Sequence, residues 1–445
     1  MTAFHCTHAL VGGTLRKGVR IEVQGERIVS VTADTRAEPN DTALDGLVIP
    51  GLANAHSHAF QRALRGRSHS VGGDFWRWRE LMYETSGRLG PENYRALARA
   101  TFAEMALAGI TCVGEFHYVH HMPDGSPYPD ANGMGKAIIQ AATDAGIRIT
   151  LLDTLYLQGG IDGRPLSPEQ LRFSDGDVEA WRERVIALSE AFERSTVQIG
   201  LAIHSVRAVS RRSMARAAEL RDELDARLHI HLSEQAAEND DCLAATGMSP
   251  TALCHAEGVL SKATTAVHAT RIAPDDAAML AESGTGVCVC PTTERDLADG
   301  IAPAVILAEY GIPMSFGSDS NAVIDVFEEA RLAELDERFV RRERGLIEPE
   351  LLMGAATWGG AASLGWRAGE IIEGMLADLV VLDPYSPRLA GWTPGDAIAH
   401  IIYSATAADV LDVIVGGRTI VKKGQHLMIG DVGRYLDAAI EGVAW

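Results

Sequence analysis

The chain of 445 residues lacks the features that define several classes of protein. No uncharged apolar run approaches the roughly 20 residues that a membrane-spanning helix requires, and the first residues carry no basic and apolar tract of a signal peptide. The six cysteines are scattered and form neither a Cys-X-X-Cys pair nor a dense disulfide framework. These absences predict a cytoplasmic protein that has no membrane partner.

Basic residues are also scarce. The chain has 40 Lys and Arg against 60 Asp and Glu, which gives a formal net charge of −20. An excess of this sign disfavours a surface for nucleic acid or for anionic lipid. A small anionic substrate remains allowed, because the field inside a cleft depends on the few residues that line it.

Apolar residues, by contrast, make up 47% of the chain, enough for a large core. Over residues 49–370, apolar strands alternate with amphipathic helical stretches, a pattern typical of a parallel sheet with crossover helices. We predict an α/β protein with a (β/α)₈ barrel in this region. The eight predicted strands are Leu47–Ala55, Thr111–Gly114, Ile147–Leu152, Gln198–Ile203, Leu228–Leu232, Thr264–Val267, Gly286–Val289 and Ile312–Phe316.

The two ends of the chain follow a different pattern. Val19, Ile21 and Val23 alternate before a turn at residues 24–25, and short apolar runs flank the glycine pair at residues 416–417. Short strands and turns of this kind are not helical. We predict that residues 1–48 and 371–445 together form one small β-sandwich module.

Most of the predicted barrel strands end in a residue that can do chemistry. In a (β/α)₈ barrel the carboxyl ends of the strands form the rim on which the active site is built. We therefore expect the site to lie at that rim. The residues concerned are His56, Glu115, His204, His231, His268 and Asp319.

The first strand ends in His56-X-His58, and residues two apart on a strand face the same side. Taken alone, these two histidines fit hydrogen-bonded core positions equally well. Their position at the end of the first barrel strand favours a shared metal ion. His231 is a candidate third ligand, and Glu234 is a candidate proton carrier. Without these other ligands nearby, Asp319 would be interpreted as an ordinary helix N-cap.

Three histidines and one carboxylate form a donor set that suits zinc and leaves room for a water molecule. Iron accepts the same nitrogen and oxygen donors. His229 has the parity of His231 but lies one layer deeper in its strand, so we interpret it as a packed core residue.

These motifs resemble the amidohydrolase superfamily, and within it the deaminases that use one metal ion. The resemblance implies that His268 polarises the attacked group, that Glu234 is the proton shuttle, and that Asp319 can also accept a proton. Dinuclear members carry a lysine on the fourth strand, and none occurs in Gln198–Ile203. One Zn²⁺ is therefore expected, together with a homodimer. The metal ligands that the resemblance implies are His56, His58, His231 and Asp319.

Three further segments, at residues 75–83, 115–118 and 202–207, resemble the formimidoylglutamate deiminases of this superfamily. The resemblance implies hydrolysis of N-formimidoyl-L-glutamate to N-formyl-L-glutamate and ammonia, a step of histidine degradation. Arginines suit such an anionic, amino-acid-derived substrate, because a guanidinium binds a carboxylate through two parallel hydrogen bonds. The implied substrate-binding residues are Gln61, Arg79, Tyr118, His204 and Arg207.

Alternatives remain open at the level of the sequence. Arg77 and Arg79 could form a solvated helix face, or an arginine beside a tryptophan could simply stack. A deaminase of a ring amidine, such as guanine or an adenosine derivative, would use the same metal shell with aromatic walls and no paired arginines. A non-catalytic barrel relative would have lost ligands, whereas the implied set is complete here.

Overall fold

The computed structural model describes residues 2–68, 75–192 and 195–443, with Phe75 and Trp76 described for their backbone alone. The predicted apolar runs form one parallel eight-stranded sheet in chain order. Its strands are β5 (Leu52–Ser57), β6 (Ile110–His117), β7 (Arg148–Leu155), β8 (Val197–Ile203), β9 (Leu228–Leu232), β10 (Thr264–His268), β11 (Gly286–Val289) and β12 (Met314–Phe316).

Helices cover the outer face of this sheet, so its strands are buried on both faces. All eight residues of β6 and all eight of β7 are buried, which explains why the strands appear in the sequence as continuous apolar runs. The predicted (β/α)₈ barrel is confirmed.

The helices begin where the sequence supplies a capping side chain. The Asp177 carboxylate accepts hydrogen bonds from the N–H groups of Glu179 and Ala180, and Asp325 caps a later helix in the same way. No helix in the described ranges has both the length and the apolar character needed to cross a bilayer. The helices are α1 (Phe75–Gly87), α2 (Pro91–Leu107), α3 (Gly133–Ala145), α4 (Val178–Glu190), α5 (Arg211–Leu224), α6 (Ala236–Thr246), α7 (Pro250–Ala256), α8 (Pro274–Ser283), α9 (Pro291–Asp296), α10 (Ala304–Glu309), α11 (Val326–Arg341), α12 (Pro349–Gly354), α13 (Gly360–Ser363), α14 (Ala397–Ser404) and α15 (Val432–Glu441), with 3₁₀ turns at Ala59–Leu64, Pro168–Phe173 and Ala407–Asp409 and a π-helical turn at Ala355–Gly359.

The barrel closes between its first and last strands at their carboxyl ends. The His58 N–H donates to the Asp319 carbonyl at 2.9 Å, and the Asp319 N–H donates to the His56 carbonyl at 3.0 Å. These backbone bonds fix the segment after β12 against the end of β5. Three of the predicted metal ligands are therefore held together by the closure of the barrel itself.

Strands from both chain ends form the second sheet, as the sequence predicts. Residues of opposite parity on β4 (Thr42–Pro50) pack into two different cores: Val48 packs with Ile21 inside the terminal module, whereas Leu47 and Ile49 pack against the barrel. The strands, in the spatial order β16-β15-β14-β13-β4-β1-β2-β3, are β1 (Thr2–Val11), β2 (Thr14–Gln24), β3 (Arg27–Thr32), β4 (Thr42–Pro50), β13 (Leu379–Leu382), β14 (Val410–Val415), β15 (Arg418–Lys422) and β16 (Gln425–His426).

The predicted first barrel strand, Leu47–Ala55, is divided at Gly51. Residues up to Pro50 belong to the terminal sheet, and the barrel begins at Leu52. A Cβ at residue 51 would lie 2.2 Å from Thr111 Oγ1, so only glycine fits at the crossing. Both halves are buried and apolar, which is why the sequence pattern runs on without a break. The domain limits 1–48, 49–370 and 371–445 stay a prediction.

A buried ion pair joins the two units. Arg148 on β7 is fully buried and donates from Nε to Asp378 Oδ2 at 2.9 Å and from Nη2 to Asp378 Oδ1 at 3.2 Å. Its Nη1 donates to Glu26 Oε2 at 2.8 Å. Because a planar guanidinium binds a carboxylate at two points, this pair fixes both the distance and the orientation between barrel and module.

Candidate active site

The four predicted metal ligands come from three strand ends and cluster around His56. His56 Nε2 lies 3.2 Å and His58 Nε2 lies 3.4 Å from Asp319 Oδ1, and the Nε2 atoms of His231 and His56 are 3.2 Å apart. All four side chains are buried. The ligand atoms of His56, His58 and His231 lie within 4.8 Å of one another, and those of His56, His268 and Asp319 form a second such group that shares His56.

Hydrogen bonds behind two of the imidazoles orient them. His58 Nδ1 lies 2.9 Å from the Phe116 carbonyl, and His231 Nδ1 lies 2.9 Å from the His204 carbonyl. A carbonyl can only accept, so in each ring Nδ1 carries the hydrogen and the Nε2 lone pair faces the centre of the cluster. Metal-binding histidines are commonly held in this tautomer by such a partner.

The protonation states also suit a metal. Burial lowers the pKa of His56 to about 3 and lowers the pKa values of His58 and His231. Burial alone would raise the pKa of Asp319, but the hydrogen bond with His56 and the nearby histidines hold it well below its usual range. Neutral histidines and an ionised carboxylate are the forms that bind a cation, so the residues present fit a resident metal ion.

Left-handed backbone follows three of the strands at the site. Ser233, His268 and Asp319 have φ values of 51°, 73° and 43°, a region that costs a non-glycine residue on the order of 1–3 kcal/mol. Each turn is held by hydrogen bonds; the Ser233 N–H, for example, donates to Glu238 Oε1 at 3.2 Å. At each of these sharp turns, the side chain of the left-handed residue or of the residue after it enters the rim instead of continuing along the strand.

Glu234 and His268 lie side by side at this rim. His268 Nε2 is 3.9 Å from Glu234 Oε1, and His268 Nδ1 is 3.3 Å from Glu294 Oε1. Burial alone would lower the pKa of His268, but the carboxylates of Glu234, Glu294 and Asp319 raise it well above its usual value. A positively charged His268 results. Glu294, which follows β11 on α9 and is buried, is not among the site residues predicted from the sequence.

One cavity opens onto this cluster, and all five predicted substrate-binding residues line it. These five are Gln61, Arg79, Tyr118, His204 and Arg207. The same cavity is lined by the catalytic candidates Glu234, His268 and Asp319 and by the metal-ligand candidates His58 and His231. The structure thus brings together residues that lie between positions 58 and 319 of the chain.

Gln61 offers an acceptor to the cavity. Its Nε2 donates to the Tyr118 hydroxyl at 3.1 Å, which leaves the amide oxygen buried and without a partner among the described residues. The Tyr118 ring stands edge-on to His58 with 5.2 Å between ring centres. A buried unpaired acceptor beside the metal cluster suits a ligand that brings an N–H group.

Arg207 is held between two internal carboxylates. Its Nη2 lies 3.6 Å from Glu234 Oε2 and its Nε lies 3.5 Å from Glu238 Oε2. Glu238, which the sequence analysis missed, is buried on α6 four residues after Glu234. Glu234 lies before α6, so no helical spacing links the two carboxylates, and their shared contact with Arg207 comes from the fold.

Arg79 and Arg77 occupy different surroundings on α1. The Arg79 guanidinium lies 5.5 Å from the centre of the Tyr83 ring at the cavity, whereas the exposed Arg77 pairs with Glu80 at 2.7 Å. The solvated-face alternative therefore fits Arg77 and not Arg79. Two neighbours of Arg77 in this motif, Phe75 and Trp76, have side chains outside the described structure. Three further residues that line the cavity were not predicted from the sequence: Tyr83, Tyr156 and Gln170.

Comparison with known proteins agrees with this geometry. The family model "Amidohydrolase family" matches residues 47–420. The chain is 38% identical to a formimidoylglutamate deiminase of Pseudomonas aeruginosa, with 96% of both chains covered. It is 31% identical to an 8-oxoguanine deaminase of the same organism, over 95% of this chain and 90% of that one.

Solved structures share the whole architecture. An amidohydrolase from Brucella melitensis superposes with a TM-score of 0.93 at 31% identity, with both chains fully covered. An adenosine deaminase from Xanthomonas campestris, solved with bound zinc, superposes with a TM-score of 0.84 at 23% identity over 99% of this chain and 97% of that one.

Barrel, rim cluster and terminal sheet define a metal-dependent hydrolase that acts on carbon–nitrogen bonds. The chain belongs to the amidohydrolase family, and within its superfamily to the deaminases.

Proposed function

We propose that the protein uses one Zn²⁺ to hydrolyse N-formimidoyl-L-glutamate to N-formyl-L-glutamate and ammonia. The observation that carries the proposal is the cavity itself, which combines the metal cluster with two arginines and the unpaired oxygen of Gln61. The 38% identity to a formimidoylglutamate deiminase over nearly the whole chain supports the same substrate.

The donor set supports zinc in particular. His56, His58 and His231 would supply three neutral nitrogens and Asp319 one oxygen, a combination typical of zinc sites. A bound zinc ion acts as a Lewis acid and can lower the pKa of a coordinated water molecule to about 7. Iron accepts the same donors, so elemental analysis of the purified protein tests the metal separately.

Glu234 is the proposed proton carrier. It accepts a proton from the attacking water and delivers it to the departing nitrogen, so that the C–N bond breaks and ammonia leaves. The water oxygen becomes the carbonyl oxygen of the formyl product. The imino nitrogen needs both protons of the water to leave as ammonia. Asp319, whose carboxylate is ionised, can accept the second proton and pass it on to that nitrogen.

His268 stabilises the charge that develops during the attack. It carries a positive charge and lies 4.0 Å from Asp319 Oδ2 and 3.9 Å from Glu234 Oε1. A fixed donor aimed at the negative charge that develops on the heteroatoms of the tetrahedral intermediate favours the transition state over the planar substrate.

The remaining cavity residues suit a linear amidine that carries two carboxylates. Arg79 and Arg207 supply positive charge for the carboxylates, while the Gln61 oxygen can accept a hydrogen bond from a formimidoyl N–H. His204 and Tyr118 complete the wall beside the metal cluster. The sequence prediction of a small anionic, amino-acid-derived substrate is kept in this proposal.

Product analysis tests the proposed reaction. The zinc-loaded protein is incubated with N-formimidoyl-L-glutamate, and we expect ammonia and N-formyl-L-glutamate in equal amounts. The Glu234→Gln variant, loaded with the same metal, is the matched control and should release neither. Formation of formamide and glutamate, or no reaction of the wild-type protein, would contradict the proposal.

A second candidate is a ring-amidine deaminase. It is favoured by the 31% identity to an 8-oxoguanine deaminase and by the aromatic rings of Tyr118, Tyr156 and Phe173 in the cavity wall. Ammonia release from guanine, 8-oxoguanine and adenosine, assayed beside N-formimidoyl-L-glutamate, separates the two. An uncharged ring carries no carboxylate for Arg79 and Arg207 to bind, so we expect the linear substrate to react fastest.

A further inference from the structure

Three cavity residues that the proposed reaction does not use are joined by hydrogen bonds. Gln170 Nε2 lies 3.1 Å from the Tyr83 hydroxyl and 2.8 Å from the Tyr156 hydroxyl. Tyr156 and Gln170 are buried, Tyr83 is half-buried, and all three line the cavity. Buried polar groups of this kind are arranged for a specific partner, and the direction of each hydrogen bond limits which partner fits.

The direction is fixed by the backbone. The Ser167 N–H donates to Gln170 Oε1 at 2.9 Å, so the amide oxygen points to the backbone and the NH₂ group points to the two phenols. An amide NH₂ can only donate. Both phenol oxygens therefore accept a hydrogen bond from Gln170.

Each phenol still has its own O–H hydrogen to donate. A hydrogen bond between Tyr83 and Tyr156 can use one of these two hydrogens. No other acceptor for either hydroxyl is found among the described residues. Burial raises the pKa of Tyr156, and the neighbouring Tyr83 raises it further, so this phenol keeps its proton. At least one O–H remains for a group bound in the cavity.

Two guanidinium groups act on the phenols. The Arg79 guanidinium lies 5.5 Å from the centre of the Tyr83 ring, and the charge of Arg207 acts on both phenols. A group that meets O–H donors and guanidinium groups together must accept hydrogen bonds and gains from carrying negative charge. A carboxylate meets both conditions.

We propose that Tyr83 and Tyr156 form a carboxylate-binding subsite, in which Gln170 is a positioning residue that occupies the acceptor side of both phenols and so leaves a phenol O–H for the ligand. The inference rests on the proposed function only in identifying that ligand group as one of the two carboxylates of the substrate. A phenylalanine at either tyrosine would keep the shape of the wall but remove the donor.

The test measures binding, so it does not depend on turnover. Titration calorimetry of the zinc-loaded protein compares glutarate, which has two carboxylates, with neutral glutaramide of the same length. We expect the double variant Tyr83→Phe/Tyr156→Phe to bind glutarate about tenfold more weakly, the usual loss for a hydrogen bond to a charged group. Its affinity for glutaramide should fall by a smaller factor, because the amide oxygen accepts a weaker hydrogen bond than a carboxylate does.

Two further variants separate recognition from structural support. Tyr94→Phe removes a buried phenol outside the cavity and should leave glutarate binding unchanged. Gln170→Met keeps the bulk but no longer occupies the acceptor side of the phenols, and should weaken glutarate binding more than glutaramide binding. A double variant that binds glutarate as wild type does, or loses glutaramide equally, would overturn the subsite, as would a wild-type protein that does not prefer glutarate.

The two proposals can fail separately. If glutarate binding depends on the tyrosines but N-formimidoyl-L-glutamate yields no ammonia, the subsite stands and the proposed reaction is wrong. If ammonia is released and the tyrosines do not affect glutarate binding, the reaction stands and the subsite is wrong.

Discussion

The two sides of the cavity are built in different ways. On the metal side, His56, His231 and Asp319 lie at strand ends, and the backbone bonds that close the barrel hold two of them together. On the substrate side, Arg79 comes from α1 and Gln170 from a 3₁₀ turn, where side chains hold one another. The metal side is therefore fixed by the barrel, whereas Arg79 and Gln170 depend on contacts of a helix and a turn that lie outside the strands.

The largest effect is expected on the metal side. Glu234→Gln removes the proton carrier but no ligand, so kcat should fall by about 10²–10⁴, the usual contribution of general acid–base catalysis. Zinc content, measured by elemental analysis, should stay that of wild type. A variant that keeps most of its activity would remove Glu234 from the mechanism.

On the substrate side, Arg207→Met should act on binding. The variant removes a partner of a substrate carboxylate and leaves Glu234 and Glu238 without a counter-charge, so we expect a loss of about 2–5 kcal/mol in substrate binding. Steady-state kinetics should show this mainly as a higher KM. An unchanged KM would show that Arg207 only neutralises the two internal carboxylates.

Glu238→Gln tests the contact between the two sides. The amide can still accept the hydrogen bond of the Ser233 N–H but no longer balances Arg207, which should move toward Glu234. We expect kcat to fall by about tenfold, the effect of roughly 1.4 kcal/mol, with an unchanged melting temperature and zinc content. A loss of stability in place of this selective loss of kcat would make Glu238 a structural residue.

The smallest effects are expected on α1, where two arginines offer a matched pair. Arg79→Met should raise KM by about tenfold, because it removes positive charge from the cavity, corresponding to about 1.4 kcal/mol. Arg77→Met, two residues away, changes an exposed ion pair and should stay within about twofold. Equal effects of the two substitutions would mean that neither side chain binds the substrate.

The same contrast decides what the sequence could predict. The His56-X-His58 motif and the polar residues at or just past the ends of β9, β10 and β12 could be predicted, because a barrel brings its strand ends to one rim. The split of the first strand at Gly51 could not, since the apolar pattern is continuous through it. Glu238 and Gln170 could not be found from the sequence. Their roles depend on which neighbours the α6 helix and the 3₁₀ turn bring near, and neither segment has a fixed spacing to the barrel strands.

The most direct test of the account is a crystal structure of the zinc-loaded protein with anomalous scattering measured at the zinc edge. We expect one anomalous peak, bound by Nε2 of His56, His58 and His231 and by a carboxylate oxygen of Asp319. Two ions at the rim, or a single ion bound by other residues, would contradict it.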